Sequence, residues 1–151
     1  MSAPGAADER QPVISAQHLD GDRFAVAVRQ HRLAVDQPVA DGGDDTAPTP
    51  TELFVAGLVS CVAFYARRYL DRHRLSTVGL RVTGDYRLTS HPARVSDVRV
   101  EITLPDGLPA DRRDALLAVA SHCTVHNSLR TPPEVNIELA TALATSDGAP
   151  R

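Results

Sequence analysis

The spacing of hydrophobic residues changes along this chain, and each change predicts a different element. Near the N-terminus, Phe24, Val26 and Val28, then Leu33 and Val35, recur at every second position around turn signals at Asp20-Gly21 and Gln30-His31. A period of two predicts half-buried strands, here a small antiparallel meander. Gly42, Gly43, Pro48 and Pro50 then mark a loop. From Leu53 to Ala66 the chain is apolar nearly all round, with only the small residues Gly57, Ser60 and Cys61 interrupting it. Such a run predicts a helix buried on most sides, with more apolar circumference than one small domain covers. Its start is marked by Thr49 as N-cap, Pro50 at the first helical position and Glu52 at the third, the spacing of a capping box. The helix extends to about His73, where Arg67, Arg68, Asp71 and Arg72 form a polar end, the arginines suited to the negative helix C-terminus.

Alternation returns at Val78, Leu80 and Val82, and again at Val95, Val98, Val100 and Ile102. These are two more strands, joined by a turn at "SHPA". "PADRRDALLAVASHC" reads as an amphipathic helix with Leu116, Leu117, Val119 and Ala120 inward. "TVHNSL" reads as a short further helical turn kinked off it near Cys123, and "EVNIELA" as a closing strand. The order of three strands, long helix, two strands, helix pair and strand does not alternate strictly, so the pattern predicts an α+β fold.

The length of 151 residues suits one domain, expected over residues 12–141, with small, polar, Pro/Gly-rich tails at 1–11 and 142–151. A net charge of -3 gives no general attraction to nucleic acid or to an anionic membrane. No run approaches the roughly 20 apolar residues of a bilayer span, and the N-terminus has no basic or apolar signal region, so the expected location is the cytoplasm. All sixteen basic residues are arginine, which compositional bias explains as readily as recognition does.

There are two cysteines, Cys61 in the apolar helix and Cys123 in "HCTVH", flanked by His122 and His126. In the cytoplasm a disulfide is usually transient and catalytic, so two cysteines are either buried thiols or a working pair. A thiol on a buried helix is most often a small hydrophobe. Cys123 precedes a helical turn, where free N–H groups and nearby protonated histidines lower a thiol pKa. Zinc would need more ligands and the paired spacing that this chain lacks. No nucleophile elbow, P-loop or dinucleotide fingerprint occurs.

"PTPTELFVAGLVSCVAFYARRYLDRHRL" and "ASHCTVHNSLRTPPEVNIEL", in that order and separation, resemble the two signatures of the OsmC/Ohr family, the osmotically inducible and organic hydroperoxide resistance proteins. The likeness spans roughly residues 13–140 and implies antiparallel sheets packed around a long buried central helix, in an intertwined homodimer. It implies a cofactor-free, metal-free thiol peroxidase for organic hydroperoxides, acting in oxidative-stress defence. Cys61 would be oxidised to a sulfenic acid, Cys123 would resolve it as a disulfide, and an external dithiol would reduce that. An apolar pocket lined by Leu53, Phe54, Leu58 and Phe64 would take the substrate. The family also uses an acid at the helix start and an arginine from the first hairpin. The residue ten before Cys61 is Thr51, so Glu52, either a cap or the acid, is the nearest carboxylate. Arg23, Arg29 and Arg32 are the hairpin arginines, of which Arg23 is the candidate. The alternative reading is a small-molecule binding protein on the same scaffold, with both thiols idle.

Overall fold

The computed structural model describes residues 11–104 and 107–141, so the expected tails fall outside the described residues apart from Gln11. The meander forms as the alternation predicts. Strands β1 (Ile14–His18), β2 (Phe24–Val28) and β3 (His31–Val35) pair antiparallel in chain order, with Phe24 opposite His18 on one side and Val35 on the other. This sheet makes no extensive packing contact with the rest of the core, and Ile14, Phe24 and Leu33 stay exposed.

The loop that follows is organised by one buried carboxylate. Asp36 accepts from the backbone N–H of Gln37 (2.8 Å) and from both the N–H (3.0 Å) and Oγ1 (2.8 Å) of Thr46. Its bonds to Thr46 hold the Asp36 carboxyl below the usual carboxylate range, against the opposing effect of burial. Gly43 packs against the Gln37 carbonyl so closely that no side chain fits there. The loop thereby delivers the chain to Thr49 and to helix α1 (Pro50–Arg72).

The capping box that starts α1 is complete. The Thr49 N–H donates to Glu52 Oε2 (2.8 Å), and the Glu52 N–H donates to Thr49 Oγ1 (3.1 Å). The helix is not buried on most sides, as its composition suggested. Val55, Leu58, Val62, Ala66, Tyr69 and Leu70 form a single buried stripe, while Phe54 and Phe64 on other faces are 45% and 50% exposed. By length and composition α1 also meets the measure of a membrane span, contrary to the expectation that no segment would; here it is the central helix of the core.

Strands β4 (Arg81–Ser90) and β5 (Ala93–Thr103) form an antiparallel ribbon under α1. Val78, expected on the strand, lies in the preceding turn and is exposed. The shift from Val95 to the Val98, Val100 and Ile102 set comes from a bulge beside Arg87, where Ser96 Oγ donates to the Arg87 carbonyl (3.2 Å). Helix α1 crosses this ribbon at Gly84, where an added Cβ would sit 2.5 Å from Val59 Cγ2.

Helix α2 (Ala110–Ala120) packs on α1 through Leu116 and Ala120, one turn apart, and helix α3 (Thr124–Arg130) follows a break at Ser121–Cys123. Leu117 and Val119, also expected in the core, stay exposed at its margin because steps of 100° carry them off the stripe that Leu116 and Ala120 define. The core joins the α1 stripe to Leu108, Leu116, Ala120 and Cys123. Full burial of Leu70 and Leu116 contributes about 1.5–3 kcal/mol each. No closing strand forms at 134–140. The residues alternate as a strand should, but no edge pairs with them, and Val135, Ile137 and Leu139 are exposed.

Gly84→Ala is expected to destabilise the fold by about 1–3 kcal/mol, because the ribbon cannot yield to Val59 without moving α1. Urea unfolding measures this, and an unchanged midpoint would show that the close approach is not rigid.

Candidate thiol site

Local structure positions each thiol for a separate reason. Cys61 falls mid-helix on α1, next to the buried stripe at Leu58 and Val62, and is half-buried. Cys123 caps α3: its extended backbone (φ -67°, ψ 155°) ends the break after α2, and the His126 N–H donates to its Sγ at 3.4 Å. Cys123 is completely buried. Because α3 packs on α1, the two thiols come close enough to interact, although they are far apart in the chain. Both are reduced. A second clasp between these helices, Tyr65 Oη to Thr124 Oγ1 at 3.0 Å, keeps the start of α3 in place.

The electrostatics of Cys123 run against the sequence expectation. Burial pushes its thiol pKa up, and contact with the Cys61 thiol adds to the rise. The N–H groups of His126 and Val125 pull it down, as a helix start should, but do not outweigh the loss of water. At neutral pH Cys123 is therefore a neutral, sheltered thiol. His122 turns away, its Nδ1 bonded to the Ala118 carbonyl at 2.7 Å.

A cavity of about 230 Å³ lies beside the pair. Its apolar walls are Leu58 and Val62 from α1, Val98, Val100 and Ile102 from β5, and Leu117 and Ala120 from α2. Ser121 and His126, which flank Cys123, supply its polar end. Of the expected pocket residues only Leu58 lines it. Leu53 does not, and Phe54 and Phe64 belong to exposed faces of α1. The sequence had marked Val98, Val100 and Ile102 as one strand face; nothing in it said that this face looks onto the cysteine helix.

The two charged candidates are not at the thiols. The Glu52 carboxylate is held in the capping box, nine residues and half a turn of phase from Cys61, so it serves as a cap in this chain. Arg23 forms a bidentate pair with Asp20 in the exposed β1–β2 turn, with Nε–Oδ1 at 2.7 Å and Nη2–Oδ2 at 2.5 Å. Since the meander does not pack on α1, no arginine of the first hairpin reaches the thiols within the chain. Among the described residues no group of three or more His, Cys, Asp or Glu forms a metal cage.

Comparison with known proteins gives one consistent likeness. Residues 42–138 match the family of OsmC-like proteins. A Psychrobacter arcticus protein described as an osmotic stress induced and detoxification response protein superposes with a TM-score of 0.73 at 21% identity, over 82% of this chain and 91% of that one. An OsmC-like protein from Mycoplasma pneumoniae superposes with a TM-score of 0.70 at 14% identity, over 82% and 89%. An organic hydroperoxide resistance protein from Elizabethkingia anophelis gives 0.63 at 20% identity, over 82% and 92%. No curated protein sequence matches the chain.

The difference in burial predicts a difference in reactivity. In native protein at pH 8, iodoacetamide is expected to alkylate Cys61 and spare Cys123, with both modified in denaturant. Mass spectrometry of the digested protein reads this out. Equal rates at the two sites would contradict the shelter described for Cys123.

Proposed function

This chain belongs to the OsmC-like proteins, and on that premise we propose that it is a cytoplasmic thiol-dependent peroxidase that reduces organic hydroperoxides in oxidative-stress defence. The observation that carries the reading is the contact between Cys61 and Cys123, one half-buried and the other sealed behind it. The Cys61 thiolate attacks the terminal peroxide oxygen. The O–O bond breaks, the alkoxide leaves and is protonated to the alcohol, and Cys61 becomes a sulfenic acid. Cys123 then attacks that sulfur, losing its proton as the hydroxide departs as water, and a disulfide closes. An external dithiol reduces it and restores both thiols. The sealed position of Cys123 suits resolution: at neutral pH it stays protonated and unreactive until a sulfenic acid forms against it. The apolar cavity beside the pair suits an alkyl or aryl body better than hydrogen peroxide.

A homodimer is part of the proposal. Three apolar surfaces lack cover among the described residues: the exposed face of α1 with Phe54 and Phe64, the meander with Ile14 and Leu33, and the strand-like run with Val135, Ile137 and Leu139. At about 25 cal/mol per Å² of apolar area, leaving all three in water forgoes several kcal/mol. A second copy would cover them, and would bring the first hairpin, with Arg23, to the partner copy's thiols. A nearby cation is what a peroxidatic thiol needs, and within one copy the meander with its arginines does not pack on the helix of Cys61.

The second reading, a small-molecule binding protein with idle thiols, is favoured by two observations: Glu52 is engaged as a cap and the Cys123 pKa is raised. The readings part on one measurement. With cumene hydroperoxide and dithiothreitol, turnover is expected, falling at least 100-fold in Cys61→Ser. A stoichiometric peroxide pulse is expected to remove both thiols without intermolecular crosslinks. Turnover surviving in Cys61→Ser would eliminate the assigned nucleophile, and two thiols left after the pulse would favour binding alone. Separately, sedimentation at micromolar concentration is expected to give a dimer; a stable monomer would sink the proposed assembly.

A further inference from the structure

Helix α3 is seven residues long, and none of its own residues is buried. A helix of that length has little stability by itself, so contacts with its neighbours decide where it starts. Cys123, its N-cap, is sealed in the core, and Val125 packs at the edge of that core. The hydrogen bonds around the break are local. The His126 N–H donates to Cys123 Sγ (3.4 Å), and Asn127 Nδ2 donates to the His122 carbonyl (3.2 Å). They shape the turn without tying it to α1.

Among the described residues one side-chain hydrogen bond joins α3 to α1, between Tyr65 Oη and Thr124 Oγ1 at 3.0 Å. Its placement singles it out. Tyr65 follows Cys61 by four residues, so the two stand one turn apart on the same side of α1. Thr124 directly follows Cys123. The phenol–hydroxyl bond and the thiol pair therefore bridge the same two helices side by side. The Tyr65 ring packs against the core and meets the Phe64 ring edge-on, with centroids 5.5 Å apart, which steadies the arm that carries the hydroxyl.

A disulfide demands more than proximity: its two Cα atoms must stand about 4.4–6.8 Å apart. Cys61 lies in the middle of α1 and has little freedom to move, so closure depends on where the start of α3 is held. We propose that Tyr65, through its bond to Thr124, is a positioning residue that holds Cys123 in register with Cys61 for disulfide closure, and so decides the fate of an oxidised Cys61.

The consequence for oxidised Cys61 rests on the peroxidase reading above, while the register of the two cysteines does not. A Cys61 sulfenic acid has two fates. Attack by Cys123 forms the S–S bond, breaks the S–O bond and releases water, made from the departing hydroxide and the Cys123 proton. A second hydroperoxide instead passes its terminal oxygen to the sulfenic sulfur, leaves as the alcohol and produces a sulfinic acid that a dithiol does not reduce. Holding Cys123 in register favours the first fate.

The test uses the full chain and the variants Tyr65→Phe, which keeps the packed ring, Thr124→Val, which keeps the shape, and the two combined. Circular dichroism melting checks that each folds. In anaerobic glutathione buffers, the equilibrium constant for the Cys61–Cys123 disulfide is read by acid quench, alkylation and mass spectrometry. The bond lies at the surface, where water competes for both hydroxyls, so a loss of about fivefold is expected in each single variant. The double variant is expected to lose no more than either single one. An equal or higher constant in Tyr65→Phe, or losses that multiply in the double variant, would overturn the proposal. After a pulse of excess cumene hydroperoxide, Tyr65→Phe is expected to oxidise Cys61 at the parent rate and to carry about five times the parent share of sulfinic acid. Slowing of Cys61 oxidation by the same factor as closure would overturn the assigned role. Failure of the hydroperoxide to oxidise Cys61 in the parent chain would sink the peroxidase reading instead, with the register decided by the glutathione equilibrium.

Discussion

Helix α1 has more apolar circumference than the other described elements cover, and the other features of the molecule follow from how that mismatch is handled. One stripe, from Val55 to Leu70, is buried against the β4–β5 ribbon, α2 and α3. The remaining faces are not. To bury even that stripe, the helix must come close to the ribbon, which is why β4 has no side chain at Gly84, where Val59 crosses. Proximity there sets the height of α1, and with it the distance at which α2 and α3 can pack on its other flank.

The thiol pair is a consequence of that packing. Cys123 has no intrinsic reason to meet Cys61. It does so because Leu116 and Ala120 dock α2 on α1, the chain breaks at Ser121, and α3 then starts against the middle of the long helix. The same docking excludes water from Cys123, so the group best placed to be activated by a helix start is instead kept neutral. At Cys123 desolvation outweighs two backbone N–H contacts.

Polar residues that invite a catalytic interpretation turn out to hold the scaffold. Glu52 satisfies the Thr49 N–H, and Asp36 satisfies donors across a ten-residue loop; neither carboxylate is free for chemistry in this chain. Arg23 is bound to Asp20 in the same turn. In each case short-range partners, one to ten residues away, have captured the group. A long-range role for such a residue requires a surface that competes with that partner, and the uncovered meander is where a second copy would provide one.

Local patterns were legible in the sequence wherever the physics is local. The period-two runs predicted β2 to β5 in type, Thr49, Pro50 and Glu52 placed the start of α1 to the residue, the order of elements predicted the α+β arrangement, and the two cysteine signatures pointed to the family. What the sequence could not decide depends on which surfaces meet. An apolar helix does not say which of its faces its own chain will cover, so Phe54 and Phe64 looked like pocket residues and are exposed. Leu117 and Val119 looked like core because their side chains are apolar, but the docking angle of α2 selects only Leu116 and Ala120. The run 134–140 has the alternation of a strand, yet a strand exists only where an edge accepts its hydrogen bonds. The contact of Cys61 with Cys123 is the same kind of fact: the residues left buried thiols and a working pair both open, the family resemblance implied the pair, and only the packing of α3 on α1 brought the two side chains together.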